Sequence, residues 1–349
     1  MKEWSSLRIA MVFAGCFLGA GYVSGQEIRQ YFAAYGKSGI SGIIMAVILL
    51  TVLGIITMLA AKRCSIIEMD RLMVPWKIPP IRAFCAVETS LLLFVNIALM
   101  LAGCGALLNQ LFGIPTALGT LAMCILSVLV AALGLRGIAG VYSALTPLVV
   151  LMTVDIAIAA ISKYGFGTIV PSETQNAMLP FWWIGSLLFV SYNMFGAVPV
   201  YAPVGIQVKE EKTVYRGVIL GGVALLIIAL GSFTAMFTYP SCTKEELPMV
   251  ALATSLHPLL GYAYGLLLLL AMFGVSISSI VALQLYGEER IPKLHKHKKA
   301  VICGIAVLAF GASFVGFSGL IGKVFPIFGY GGLLFLCGLV VRFLHTKKK

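Results

Sequence analysis

The sequence predicts an all-α membrane protein of about ten transmembrane helices, arranged as two inverted repeats of five, with helices 1 and 6 discontinuous. Three features lead there. Apolar runs long enough to cross a bilayer occupy nearly the whole chain. Lysine and arginine alternate between successive loops. Two of the apolar runs, half a chain apart, are interrupted by helix-weakening residues.

The 349 residues are 60% hydrophobic and only 11% charged, with a mean hydropathy of +1.02. Soluble domains carry about 25% charged residues. A membrane helix takes about 20 apolar residues, so spans use up the length and residues 1–349 form a single transmembrane domain. The net charge of +12 does not mark a nucleic-acid binder, because the basic residues sit in short loops between apolar runs, as an orientation signal does. The eight cysteines are scattered singly, without metal-ligand spacing, and read as small apolar fillers.

Span 1 covers about 8–36. It begins like a signal peptide, but flows without a loop into Gln26-Glu27-Ile28-Arg29-Gln30, which still reads as helix. Span 2 is about 38–61. A basic loop with Lys62, Arg63, Arg71, Lys77 and Arg82 follows, punctuated by Pro75, Pro79 and Pro80. Span 3 is about 83–112 and ends at Gly113-Ile-Pro115. Span 4 is about 116–134, closed by Arg136, and span 5 about 138–162. After a loop containing Pro171 and Glu173 come span 6 (about 179–207) and span 7 (about 213–238). Span 8 is about 249–286. The most basic loop, Arg290 to Lys299, leads to spans 9 (about 300–316) and 10 (about 320–344), and the chain closes on Lys347-Lys348-Lys349.

Charge sets the orientation. With both termini in the cytoplasm, only Arg29, Lys37, Lys163, Lys244 and Lys323 fall outside or in the outer half, leaving twenty of the twenty-five Lys and Arg residues at the inner surface. The basic loops read as solvated faces drawn to anionic head groups.

The two interruptions organise the rest. Span 1 carries Gly15, Gly19, Gly21 and Gly25, and each glycine weakens a helix by about 1 kcal/mol relative to alanine. Within a bilayer such a cluster is a break whose freed backbone must face protein or water. Span 6 contains Ser191-Tyr-Asn-Met-Phe-Gly-Ala-Val-Pro199, in which Pro199 lacks an N–H and Asn193 places a polar group at mid-depth. The offset between breaks is close to half the chain. The repeats therefore span about 8–162 and 179–344, and five spans each make them enter the membrane from opposite sides. Secondary transporters place substrate and ion sites at such breaks.

Gly15 to Gly21 resembles the unwound first helix of neurotransmitter:sodium symporters, and Ser191 to Val198 resembles their sixth. The chain thus resembles the LeuT-type fold of the amino acid–polyamine–organocation superfamily. Around Gly19-Ala-Gly-Tyr-Val-Ser-Gly-Gln-Glu-Ile28 and Ser191-Tyr-Asn193 it is similar, more narrowly, to the bacterial YkvI-like membrane proteins. That resemblance implies a sodium site between the break in helix 1 and helix 8. The carbonyls of Gly15 and Leu18 and the hydroxyls of Ser278 and Ser279 are its implied ligands, with Ser276 a weaker candidate. Oxygen-only ligation suits a hard cation. Where those symporters have an asparagine of a second sodium site, this chain has Tyr22.

The substrate site is expected between the breaks, lined by Gly19, Ala20, Gly21, Tyr22, Tyr192, Asn193 and Phe195, with Asn96 from span 3. Half-helix N–H groups there favour an anionic group, so an amino-acid-like or zwitterionic solute fits. Ionisable residues inside spans are functional candidates by default. Glu27, Arg29 and Asp155 are assigned to an outer gate or to proton coupling, with Asp155 at a depth where it could pair with Arg29. Glu88 is expected to pair with a loop cation.

No metalloprotease, nucleophile-elbow or Walker signature appears, and His257, His295, His297 and His345 lie at loops or ends, so an enzyme is not expected. The expectation is a sodium- or proton-coupled secondary transporter working by alternating access in the bacterial plasma membrane. Its partners are a small-molecule substrate and the lipid bilayer, without nucleic acid. It needs no cofactor beyond sodium as coupling ion. The alternative is a non-transporting small-molecule sensor on the same fold.

Overall fold

A computed structural model describes residues 4–76, 78–133, 138–171, 176–291 and 296–346. Lys77, Arg136, Glu173, His295 and Lys347 to Lys349 lie outside them.

The first span folds as three short helices, α1 (Ser6–Phe17), α2 (Ala20–Val23) and α3 (Gln26–Tyr31). It is followed by α4 (Ser38–Cys64), a short α5 (Met69–Met73), α6 (Pro79–Phe112), α7 (Thr116–Leu133) and α8 (Ile138–Tyr164). Next come α9 (Trp182–Gln207), α10 (Glu211–Thr238), α11 (Pro248–Leu256), α12 (Pro258–Arg290) and α13 (Lys298–Ser313). One turn, α14 (Phe317–Gly319), passes through a π-helical stretch, Leu320–Val324, into α15 (Phe325–Thr346). Among the described residues seven helices are long and apolar enough to cross a membrane. The first span falls short because it is broken, and α7 and α13 because their helices are too short.

The expected span 8 is two elements. Pro248–Leu256 forms α11, and the long helix starts at Pro258, where His257 is extended and its side chain caps the Leu259 N–H. Proline at the first helical position gives up an N–H that would have no partner there anyway.

The expected break in span 6 is absent: α9 is helical from Trp182 to Gln207 with Pro199 and Pro203 inside it. Asn193 donates to the Phe189 carbonyl one turn back, at 3.0 Å, so its polar group is satisfied by its own helix and opens nothing. The prolines cost α9 only the donors to the Phe195 and Pro199 carbonyls.

Helix pairing in the bundle follows a pattern. Helix α1 packs on α10 and α4 on α9; α1 packs on α8 and α9 on α15; α8 packs on α10 and α4 on α15; α6 packs on α13 and α12 on α7. Buried aromatics seal the centre. Phe13 stacks on Tyr201, and Phe189 contacts Tyr22, Tyr31, Phe32 and Tyr192.

Candidate functional site

Why the first span breaks where it does follows from its backbone. The last helical bond of α1 runs from the Leu18 N–H to Ala14, and Gly19 is extended (φ −72°, ψ 176°). Gly25, at φ +82°, then takes a left-handed conformation that glycine adopts without steric cost. Irregular backbone at membrane depth needs partners, and neighbouring helices supply several. Tyr264 of α12 donates to the Val23 carbonyl at 2.8 Å. The Met249 N–H donates to Ser24 at 2.9 Å, and the Ser24 hydroxyl donates to Gly21 at 3.2 Å. The carbonyls of Gly15, Cys16, Phe17 and Leu18 lie beyond the last helical bond. Among the described residues no hydrogen bond reaches them.

A cavity of about 310 Å³ sits against this break. Gly15, Gly19, Gly21 and Glu27 line it from span 1, Asn96 from α6, Tyr192 and Asn193 from α9, Ser278 and Ser279 from α12, and Phe325 from α15. From there it runs past Val12, Leu92, Val200 and Ala282, all toward one end of the bundle. Neither Ser278 nor Ser279 makes a described hydrogen bond to its own helix, whereas Thr57, Thr89 and Thr254 each donate to the residue four back. Ser276 is fully buried away from the cavity with its Oγ unpartnered.

Glu27 is 5% exposed, and its Oε2 has no hydrogen-bond partner. Its side chain folds back across Gly21, where a β-carbon would come within 2.6 Å of the carboxyl carbon. The span can therefore hold the carboxylate at the break only because residue 21 lacks a side chain.

Other expected residues lie elsewhere. Ala20 and Leu18 are buried behind the cavity wall. Tyr22 turns away and donates to Leu225 of α10 at 2.7 Å. Phe195 packs on Phe335. Helical spacing cannot fix where side chains point once the helix is interrupted, and Tyr22 shows the result. Arg29 donates through Nη1 to the Thr243 carbonyl and faces a second cavity. Asp155 is exposed on α8, so the expected Arg29–Asp155 pair does not form. Glu88 finds no loop cation; its side chain abuts Gly331 of α15, with Oε2 buried and unpartnered.

One group was not anticipated. Beyond Glu27, at the end opposite Val12 and Ala282, the bundle is closed around Ser318. Gln26 Nε2 donates to the Ser318 hydroxyl (2.6 Å) and Gln30 Nε2 to its carbonyl (3.1 Å). The Ser318 N–H and hydroxyl both donate to Glu246 Oε2, at 3.0 and 2.9 Å. The visible signal was polar Gln26 and Gln30 four apart on one helix face.

No family model matches the chain. It is similar to two proteins of Bacillus subtilis strain 168. The uncharacterized membrane protein YkvI is 28% identical, over 98% of this chain and 97% of YkvI. The uncharacterized protein YyaD is 26% identical, over 99% of each. Solved structures with the same architecture are the inward-facing conformation of Mhp1 (13% identity, 95% of this chain and 74% of Mhp1, TM-score 0.65) and MhsT in complex with L-phenylalanine (13%, 99% of each, TM-score 0.63). A Na+-coupled sialic acid symporter also matches (15%, 97% of this chain and 79% of the symporter, TM-score 0.63). The fold is that of LeuT-type transporters in a multi-pass membrane protein.

Proposed function

We propose that this chain is a secondary active transporter that couples sodium, or protons, to symport of a small amino-acid-like or zwitterionic solute by alternating access. It sits in the bacterial plasma membrane with both termini cytoplasmic. One observation carries the reading: Gly15, Cys16 and Phe17, whose carbonyls are unpaired at the break in span 1, share one cavity with Ser278, Ser279 and Glu27. A packed bundle gains nothing from leaving so many polar groups unpaired. A cation held by the Gly15 carbonyl and the two serines satisfies them with oxygen ligands; Leu18, the other implied carbonyl ligand, does not line the cavity.

Ten spans in two inverted repeats fit the helix pairing. Exchanging the first five spans with the last five turns α1 on α10 into α9 on α4, α6 on α13 into α12 on α7, and α1 on α8 into α9 on α15. With five crossings per half, that exchange inverts the second half. With both termini cytoplasmic, the cavity's course toward the end bearing Arg8 and Arg82 and the contacts around Ser318 fit an inward-facing state.

The test is uptake. Full-length protein in proteoliposomes should accumulate solute under an inward sodium or proton gradient. Saturable binding without accumulation would instead identify a sensor.

A further inference from the structure

The electrostatics of the cavity select one end of its ligand. Among the described residues lining it, Glu27 is the only carboxylic acid, and none is lysine, arginine or histidine. Arg29, the nearest cation in sequence, is committed to Thr243 and faces away. The unpaired carbonyls of Gly15, Cys16 and Phe17, which line it, add partial negative charge, and the C-terminal pole of a twelve-residue helix adds more. Against these stand the N-termini of α2 and α3, helices of only four and six residues with few aligned peptide dipoles, Glu27 lying in the first turn of α3. A carboxylate buried without a counter-charge is costly. The wall beside it is aromatic: Tyr192 and Phe325 both face the cavity with ring centroids 4.7 Å apart. The Tyr192 hydroxyl lies buried beside the Glu27 carboxyl group and the Asn193 side chain. Aromatic faces beside a carboxylate attract organic cations.

We infer that the Glu27 carboxylate and the Tyr192–Phe325 wall form a recognition site for an ammonium group, and that the solute is selected by its amine rather than its carboxylate. This rests on the reading of the cavity as a solute site. It narrows the solute class to amines and to zwitterions read at their amine end, and excludes simple organic anions. A charge-assisted hydrogen bond from the ammonium would satisfy Glu27 Oε2.

Thermal stabilisation of the full-length purified protein tests the inference. The probes are two matched sets: phenethylamine, L-phenylalanine and 3-phenylpropionate; isobutylamine, L-valine and isovalerate. At least one ammonium compound should raise the Tm of the wild-type protein, and neither simple carboxylate should. In Glu27→Gln that shift should vanish, whereas Glu88→Gln, which removes a buried carboxylate away from the cavity, should keep it. Three results overturn the inference: stabilisation by the carboxylates equal to that by the amines, no stabilisation by any ammonium compound, or an undiminished shift in Glu27→Gln. A fourth also does: loss in Glu27→Gln of a shift produced by sodium alone while the amine shift persists, which would assign the carboxylate to the metal ion. The wild-type comparison stands even if Glu27→Gln fails to fold. Equilibrium binding is blind to movement, so amine binding without uptake would sink the transporter reading alone. Uptake of a solute lacking an amine would sink only this one.

Discussion

Glu27 lies across the α-carbon of Gly21, six residues back on the other side of the Gly25 turn, and leaves no space there for a methyl group. The two residues act as one unit, a bare backbone position and the carboxylate that covers it. Gly21→Ala forces the carboxylate out of place. Overpacking a tight site costs about 1–3 kcal/mol. Solute binding should therefore weaken by roughly one to two orders of magnitude, read as a loss of ligand-induced thermal shift. Gly304→Ala on α13, where no atom lies within contact of the added carbon, should leave the shift intact.

Tyr264 holds the break from α12. Its hydroxyl donates to the Val23 carbonyl and lies 3.1 Å from Thr153 Oγ1. Tyr264→Phe strands a buried carbonyl at a cost of about 1–3 kcal/mol. The Tm of the unliganded protein should fall by several degrees, while Tyr262→Phe, exposed on the same helix, should not move it.

The closure around Ser318 predicts a local change in dynamics. Glu246→Ala removes two hydrogen bonds to Ser318, worth about 1–2 kcal/mol together. Hydrogen exchange reports opening free energies, so the amides of Leu320–Val324 and of α3 should exchange about five- to thirtyfold faster. Amides of the α4–α9 contact should be unaffected. Unchanged exchange in the Ser318 segment would show that this contact does not hold the bundle shut.

How far the sequence could be read depended on the kind of residue. The break in span 1 was legible because Gly15, Gly19, Gly21 and Gly25 share one span and polar Gln26 and Glu27 follow directly; each glycine lowers the cost of leaving the helix. The supposed break in span 6 was a misreading of the same signs. Asn193 bonds back to Phe189, and two prolines four apart lie within a continuous helix. Asn96, expected in the lining, and Ser278 and Ser279, implied by the resemblance, all line the cavity, since regular helices preserve depth. Tyr22 and Phe195, expected in the lining, turn away because side-chain direction near a break is set by tertiary contacts, here with Leu225 and Phe335. Depth alone also failed for Asp155: a residue at the right level can still face outward. The spacing of Gln26 and Gln30 hinted at a polar contact, but Ser318 as its centre was not legible, because Gln26, Gln30 and Glu246 come from two segments distant from it.

The most direct measurement is sodium-driven uptake of radiolabelled L-phenylalanine and phenethylamine into proteoliposomes, comparing wild type with the Ser278→Ala/Ser279→Ala double variant and with Ser276→Ala. Wild type and Ser276→Ala should concentrate label above equilibrium when sodium is high outside. The double variant should bind the label yet lose the sodium stimulation. Equal sodium-driven accumulation in the double variant would contradict a coupling site between the span 1 break and α12.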